Sequence, residues 1–215
     1  FLSRVNYNYR SKYLFTASFR ADGSSRFINQ QWGYFPSGAF AWKIGAEPFM
    51  KKLKFISSAK LRTSYGFTGN NGSGDFSAFS NYIVPLTAGY SFGNQLVNGS
   101  YSASMGNADL RWEKTEQMDI GLDVGILKDR ISFEIDAYRK NTSDLLLNAS
   151  LPSSTGYTRQ FNNIGKVRNE GLEFTLNATP IRGKDFKWAT NFNISFNRNK
   201  VLELAENELS LSSVQ

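Results

Sequence analysis

Hydrophobic and polar residues alternate along this chain with a period of two. From residue 117 to 126, Met118, Ile120, Leu122, Val124 and Ile126 fall on one face, while Gln117, Asp119, Gly121, Asp123 and Gly125 fall on the other. Alternation this long predicts a β-strand, because successive strand side chains point to opposite faces. Lys128-Asp129 predicts a tight turn. Beyond it Ile131, Phe133, Ile135 and Ala137 alternate with Ser132, Glu134, Asp136 and Tyr138, which completes a β-hairpin. The same pattern recurs at residues 13–20, 61–68, 172–178 and 186–197, and more weakly at 1–9 and 34–44. These segments predict an all-β chain, an antiparallel meander of about eight long strands. No segment carries the period of an amphipathic helix.

The connections alternate in length. Short ones are expected at residues 10–12, 128–129 and 180–185, and long ones at 22–32, about 69–111 and 148–163. A medium segment at 47–58 falls on the short side. Short turns at one end and long loops at the other form the layout of an outer-membrane barrel, with the loop at about 69–111 extracellular. A β-sandwich also produces alternation, with its apolar face turned into a core. Strand length separates the two. Sandwich strands usually run about 5–6 residues, whereas a membrane strand needs roughly 9–11, and residues 118–126 and 131–139 fit the longer figure. Trp42, Trp112, Tyr138 and Trp188 lie near strand ends, where aromatic girdles are expected.

Composition narrows the chemistry. The 215 residues contain no His and no Cys, which excludes disulfides, thiolate nucleophiles, Cys-based zinc sites and the Ser-His-Asp triad. Mean hydropathy is −0.39, a value that polar lumen-facing residues lower in any barrel. The net charge is +7. The positive residues are scattered along the chain, and the densest run, Lys51, Lys52 and Lys54, reads as a solvated turn; no nucleic-acid partner is expected. Glu134 and Asp136 share a face about 7 Å apart, but lumen-facing carboxylates are ordinary wall residues, so no catalytic pair, cofactor or metal is expected. The glycine-rich run 69–74 lacks the Lys-Ser/Thr of a phosphate loop.

Several strings go beyond pattern. KYLFTASFRADGSSRF (residues 12–27), WGYFPSGAFAWKI (32–44), LRTSYGFTGN (61–70) and NADLRWEKTEQMDIGLDVGILKDRISFEIDAYRKNTSDLLL (107–147) resemble the SusC/RagA-type TonB-dependent outer-membrane transporters of Bacteroidetes. NNIGKVRNEGLEFTL (162–176) resembles that family's recurrent Gly-x-Val-x-Asn-x-Gly-x-Glu pattern through Gly165, Val167, Asn169, Gly171 and Glu173. The resemblance implies a segment of a transmembrane β-barrel in the bacterial outer membrane. Residues 1–215 would be a partial TonB-dependent receptor barrel domain, without plug domain or signal peptide. It further implies import of oligosaccharides or peptides, with TonB and a SusD-like surface lipoprotein as partners, outer-membrane lipid around the wall, and no enzymatic role.

On this reading Gln117, Asp119, Asp123, Glu134 and Asp136 belong to the lumen wall. Tyr82, Tyr90, Phe92, Tyr101 and Tyr157 are candidate contacts for ligand or partner, since exposed aromatics stack on sugars and anchor interfaces. Such residues can equally pack a long loop onto itself. An Asp22–Arg26 contact could hold the 22–32 loop at the rim. Two other readings stay open: a self-contained eight-stranded barrel with a structural or adhesion role, whose first and last strands would pair, and a soluble carbohydrate-binding β-sandwich.

Overall fold

The computed structural model describes residues 1–72, 76–84 and 89–204. Eight long strands form one antiparallel sheet in sequence order. They are β1 (Leu2–Tyr9), β2 (Tyr13–Gly23), β3 (Trp32–Trp42), β4 (Ile56–Asn70), β5 (Glu113–Ile126), β6 (Ile131–Ser143), β7 (Lys166–Arg182) and β8 (Lys187–Glu203). All eight segments expected from alternation are present, most of them longer than their apolar part. The connections at residues 10–12, 43–55, 127–130 and 183–186 share one end of the sheet, and those at 24–31, 71–112 and 144–165 share the other. In the first turn Arg10 and Ser11 both have positive φ, the two-residue geometry whose twist matches that of paired strands.

Strand register converts alternation into two chemically different faces. One row of partners crosses the whole sheet: Tyr9, Tyr13, Trp42, Leu61, Leu122, Ile135, Phe174 and Ile194, one residue from each strand. Every member is apolar or aromatic. The parallel row on the other face carries Arg62, Gly121, Asp136, Glu173 and Ser195. The apolar face is bare: Met118 and Leu172 are each 55% exposed and Phe196 63%. Toward the long-connection end this face turns charged, with Arg139 paired to Glu170 at 3.3 Å and Arg198 next in the row.

The strand ends are staggered. The apolar row begins on Tyr9, Tyr13 and Trp42, at the short-turn ends of β1, β2 and β3, and finishes on Ile194, seven residues into β8. With the short turns in one plane, seven residues of about 3.3 Å against seven strand steps of about 4.8 Å tilt the strands by about 35°, within the range of barrels. At that tilt the apolar run from Met118 to Ile126 covers about 20 Å along the normal, close to the roughly 25 Å band of outer-membrane barrels.

Two bulges shape the short-turn end. The register of β4 with β5 shifts between Ile56 and Ser58, and that of β7 with β8 between Ala178 and Ile181. Pro180 lies in the second, where a residue without an N–H costs no ladder bond. The short connection expected at 180–185 is therefore shorter, and β7 continues through Pro180 to Arg182.

The buried apolar cluster lies at the opposite end. Phe27, Phe35, Ala78, Leu110 and Trp112 pack together, Phe27 and Leu110 being fully buried. The paired register of β3 with β4 ends at Ser37–Gly66. Beyond it the Phe35 ring takes the space that a side chain at Gly33 or Gly69 would need.

Several expectations are corrected by this arrangement. Trp112 is a core residue and not part of a girdle; its indole N–H donates to the Gln31 carbonyl at 3.1 Å. Tyr138 lies on the polar face, its ring over Gly171 and its hydroxyl donating to Asn197 at 3.2 Å. Asp22 pairs with Arg20 at 2.7 Å, while Arg26 donates to the Asn71 carbonyl at 2.9 Å. The loops at 69–111 and 148–163 contain short strands: Asn81–Ile83 pairs with Tyr101–Ser104, Gly89–Phe92 with Gln95–Asn98, and Leu146–Ser150 with Arg159–Asn163. Such three- to five-residue strands are too short to show a period. The sandwich reading fails because the long strands form one sheet whose apolar face is uncovered. The self-contained barrel fails because, among the described residues, β1 pairs with β2 and β8 with β7 but not with each other. Nine of the 25 basic residues fall in the four short connections.

Candidate functional site

The polar face of β4, β5 and β6 carries a charged network built by register. Arg62 of β4 lies opposite Gly121 of β5, between Asp119 and Asp123. Its guanidinium donates to both Asp123 carboxylate oxygens, at distances from 2.6 to 3.0 Å, and its Nη2 donates to Asp136 of β6 at 3.2 Å. The fork geometry of Arg suits this double engagement. Gly121 makes it possible, since a Cβ there would stand 2.2 Å from Asp136 Oδ1 and 2.9 Å from Arg62 Cζ. Lys60 Nζ approaches Asp123 at 3.6 Å. One row further, Asp119 accepts from Ser64 Oγ and from Gln117 Nε2, both at 2.9 Å.

Gln117, Asp119, Asp123 and Asp136 share this polar face, the last two joined through Arg62 and the first two bonded to each other with Ser64 on Asp119. Glu134, opposite Asp123 and Thr175 in register, stays exposed. Asp136 is held by the Arg62 guanidinium. The wall is a hydrogen-bonding surface. A hollow of about 370 Å³ lies along it over Arg62, Ser64, Asp119 and Asp136.

At the long-connection end, polar bonds knit the three long connections into one body above the buried cluster. Asn107 Nδ2 donates to Asn162 Oδ1 at 2.7 Å and to the Phe161 carbonyl at 3.0 Å. Asn163 Nδ2 donates to the carbonyls of Arg111 at 2.8 Å and Asp144 at 2.9 Å, and Arg111 pairs with the Asp144 side chain at 2.6 Å. Asn29 of the remaining connection donates to Asp109 at 3.1 Å. A cavity of about 340 Å³, lined by Asn81, Ser104, Asn148, Arg159 and Gln160, opens between two of these connections. None of these residues breaks a local pattern. The one visible signal was the surplus of Asn and Gln in the long loops.

The candidate aromatics do not converge. Tyr82 is 71% exposed, Phe92 74% and Tyr101 55%, so these three do not pack the loop onto itself; Ala78 and Leu110 do. Tyr82 stands opposite Ser102 and Tyr101 opposite Ile83, which puts the two tyrosines on opposite faces of their ladder. Phe92 closes a separate hairpin whose turn residues Gly93 and Asn94 both have positive φ. Tyr157 is half-buried, in a turn where its N–H donates to Thr155 Oγ1 at 3.2 Å. The backbone of Tyr90 lies in the Gly89–Phe92 strand, and its side chain is outside the described residues, as are Ser73 and Gly74 of the glycine-rich run.

At the short-turn end Glu47 is a buried carboxylate. It accepts from Lys12 Nζ and Tyr13 Oη, each at 2.8 Å, and from the Trp42 indole at 3.2 Å. These donors, the Lys12 bond first, hold its pKa down at about 2 against their desolvation cost. Tyr13 and Trp42 stack 6.2 Å apart, and Tyr7 and Tyr9 extend the row. This row of rings, mostly tyrosines, stands where a girdle was expected at Trp42.

The family model "TonB dependent receptor-like, beta-barrel" matches residues 3–210. The chain is 46% identical over 207 residues to TonB-dependent receptor P39 of Formosa agariphila, covering 96% of this chain and 19% of that protein. It is 41% identical over 208 residues to TonB-dependent receptor SusC of Bacteroides thetaiotaomicron, covering 95% and 21%. Among solved structures, the RagAB peptide importer in its open-open state superposes with a TM-score of 0.87 at 30% identity, over 96% of this chain and 22% of that one. The siderophore receptor PirA of Pseudomonas aeruginosa, at 17% identity and a TM-score of 0.60, shares the fold. The chain spans about a fifth of the length of the curated relatives it matches.

Proposed function

Because this chain belongs to the TonB-dependent receptor-like β-barrel family, we propose that it forms wall and extracellular loops of an outer-membrane importer of oligosaccharides or peptides. Its location is the outer membrane. The observation that carries the reading is the division of the sheet: an uncovered apolar row crosses all eight strands, and the reverse face holds the Arg62–Asp123–Asp136 network and the Ser64–Asp119–Gln117 bonds beside it. An apolar face of this extent needs a cover, and lipid is the cover of the apolar face of an outer-membrane barrel. The polar face offers fixed donors and acceptors to a hydrated solute moving past it. The part is passive and non-enzymatic, with energy delivered through TonB and a SusD-like lipoprotein closing over the loops.

Tyr82, Phe92, Tyr101 and Tyr157, with Tyr90, are the contacts we assign to solute or lid. The exposure of the first three on a knitted loop body supports this role, since rigid aromatic tips lose little entropy on binding. The test uses the full-length receptor. Tyr82→Ala, Phe92→Ala and Tyr101→Ala should each weaken capture of ligand or lid severalfold while leaving the amount of folded barrel in the membrane unchanged. Uptake and lid affinity unaffected by all three would remove the assignment.

A further inference from the structure

The charge of this chain is distributed unevenly between the two ends of the sheet. The four short connections, residues 10–12, 43–55, 127–130 and 183–186, hold nine of the 25 Lys and Arg but three of the 18 Asp and Glu, a net +6 where the whole chain carries +7. The three long connections, 24–31, 71–112 and 144–165, hold three of each sign. Solvation alone predicts charged turns at both ends and no preference of sign.

The positive end is also apolar where it meets the lipid-facing surface. In the 43–55 connection Phe49 is 57% exposed, Leu53 45% and Phe55 55%, interleaved with Lys51, Lys52 and Lys54. That connection is fixed to the apolar face. Glu47 holds the polar tips of Tyr13 and Trp42, and the short helical turn Ile44–Ala46 packs on the start of β4, where Gly45 closes against the Ala59 backbone. The one acidic residue of the connection is neutralised by Lys12. What remains beside the girdle is a set of exposed rings and aliphatic groups among unopposed lysines, the composition that seats a segment in a headgroup layer.

We propose that the 43–55 connection is an interfacial anchor that gathers anionic phospholipid headgroups from the leaflet on the short-turn side. Phe49, Leu53 and Phe55 enter the acyl boundary, and Lys51, Lys52 and Lys54 hold phosphate groups above it. The inference rests on the membrane placement proposed above and adds a lipid preference to it.

Electron spin resonance on the full-length receptor, reconstituted in phosphatidylcholine bilayers with trace spin-labelled phosphatidylglycerol or phosphatidylcholine, measures which lipid the protein surface retains. The native receptor should retain phosphatidylglycerol severalfold over phosphatidylcholine, less so at high salt. Replacing Lys51, Lys52 and Lys54 together by Gln should remove most of that preference, and replacing them by Arg should preserve it. No preference in the native receptor, or equal loss in the Gln and Arg forms, overturns the proposal. A receptor that inserts and yet shows either result fails this inference alone, whereas one that does not insert fails the membrane reading.

Discussion

Gly121 has no side chain, and the Asp136 carboxylate and the Arg62 guanidinium occupy the space one would take. Gly121→Ala should push the guanidinium off Asp136 and cost about 1–3 kcal/mol as overpacking, read as a lower urea midpoint of the barrel in lipid. Glu47 provides a second residue-scale test. Its carboxyl titrates at about 2 when folded, below the ordinary 4.5, chiefly because Lys12, then Tyr13 and Trp42, donate to the charged form. Its contribution to stability is full above about pH 4.5, falls as pH drops through that window, and is gone below about pH 2. Glu47→Gln should therefore flatten the thermal midpoint between pH 5 and pH 2 relative to the native protein; parallel curves would remove this role from Glu47. At this scale the sequence showed which face a residue takes and little of what it touches. Asp119, Asp123 and Asp136 were readable as one polar face because their neighbours alternate. Arg62 was not readable as their partner, because the register of β4 with β5 is set across a long connection. Phe35 likewise sits on the nominally polar face of β3, and its burial depends on glycines at positions 33 and 69 that are distant in sequence from Trp112.

Long strands were the most legible elements, because six or more alternating positions leave no other regular structure. Their ends were less so: β4, β7 and β8 continue beyond their apolar segments into residues that alternate polar with polar. Pro180 looked like a turn and is a bulge, a distinction that only the opposing strand makes. The two faces of one strand pair give the decisive element-scale experiment. Ile135→Arg places a charge in the middle of the apolar row and should cost about 2–4 kcal/mol. Asp119→Asn, which keeps an acceptor for Ser64 and faces the wet side, should cost under about 1 kcal/mol. Unfolding of both variants in lipid bilayers measures the difference, and equal tolerance would reverse or abolish the assigned faces.

For the molecule as a whole, both edge strands, β1 and β8, are exposed along their full length. Expressed alone, the 215-residue chain should aggregate through those unpaired edges; a monodisperse, detergent-free monomer by light scattering would contradict the membrane assignment. That one sheet exists was legible from uniform alternation, but that it stays open was not, since closure depends on the geometry of the edges. Six of the seven ladders of the sheet join strands separated by 22 residues or fewer, whereas β4 and β5 must meet across 42. Non-local pairing is slow because the chain loses loop entropy before contacts offset it. The nested hairpins inside the 71–112 connection, Gln95–Asn98 on Gly89–Phe92 and Tyr101–Ser104 on Asn81–Ile83, form locally and shorten the distance left to search. Assembly should thus proceed as two local meanders, β1–β4 and β5–β8, that dock late, with Arg62 reaching Asp123 and Asp136 only at docking. Arg62→Gln should then speed unfolding more than it slows refolding, and a chevron measured in lipid would show the opposite if this seam formed early.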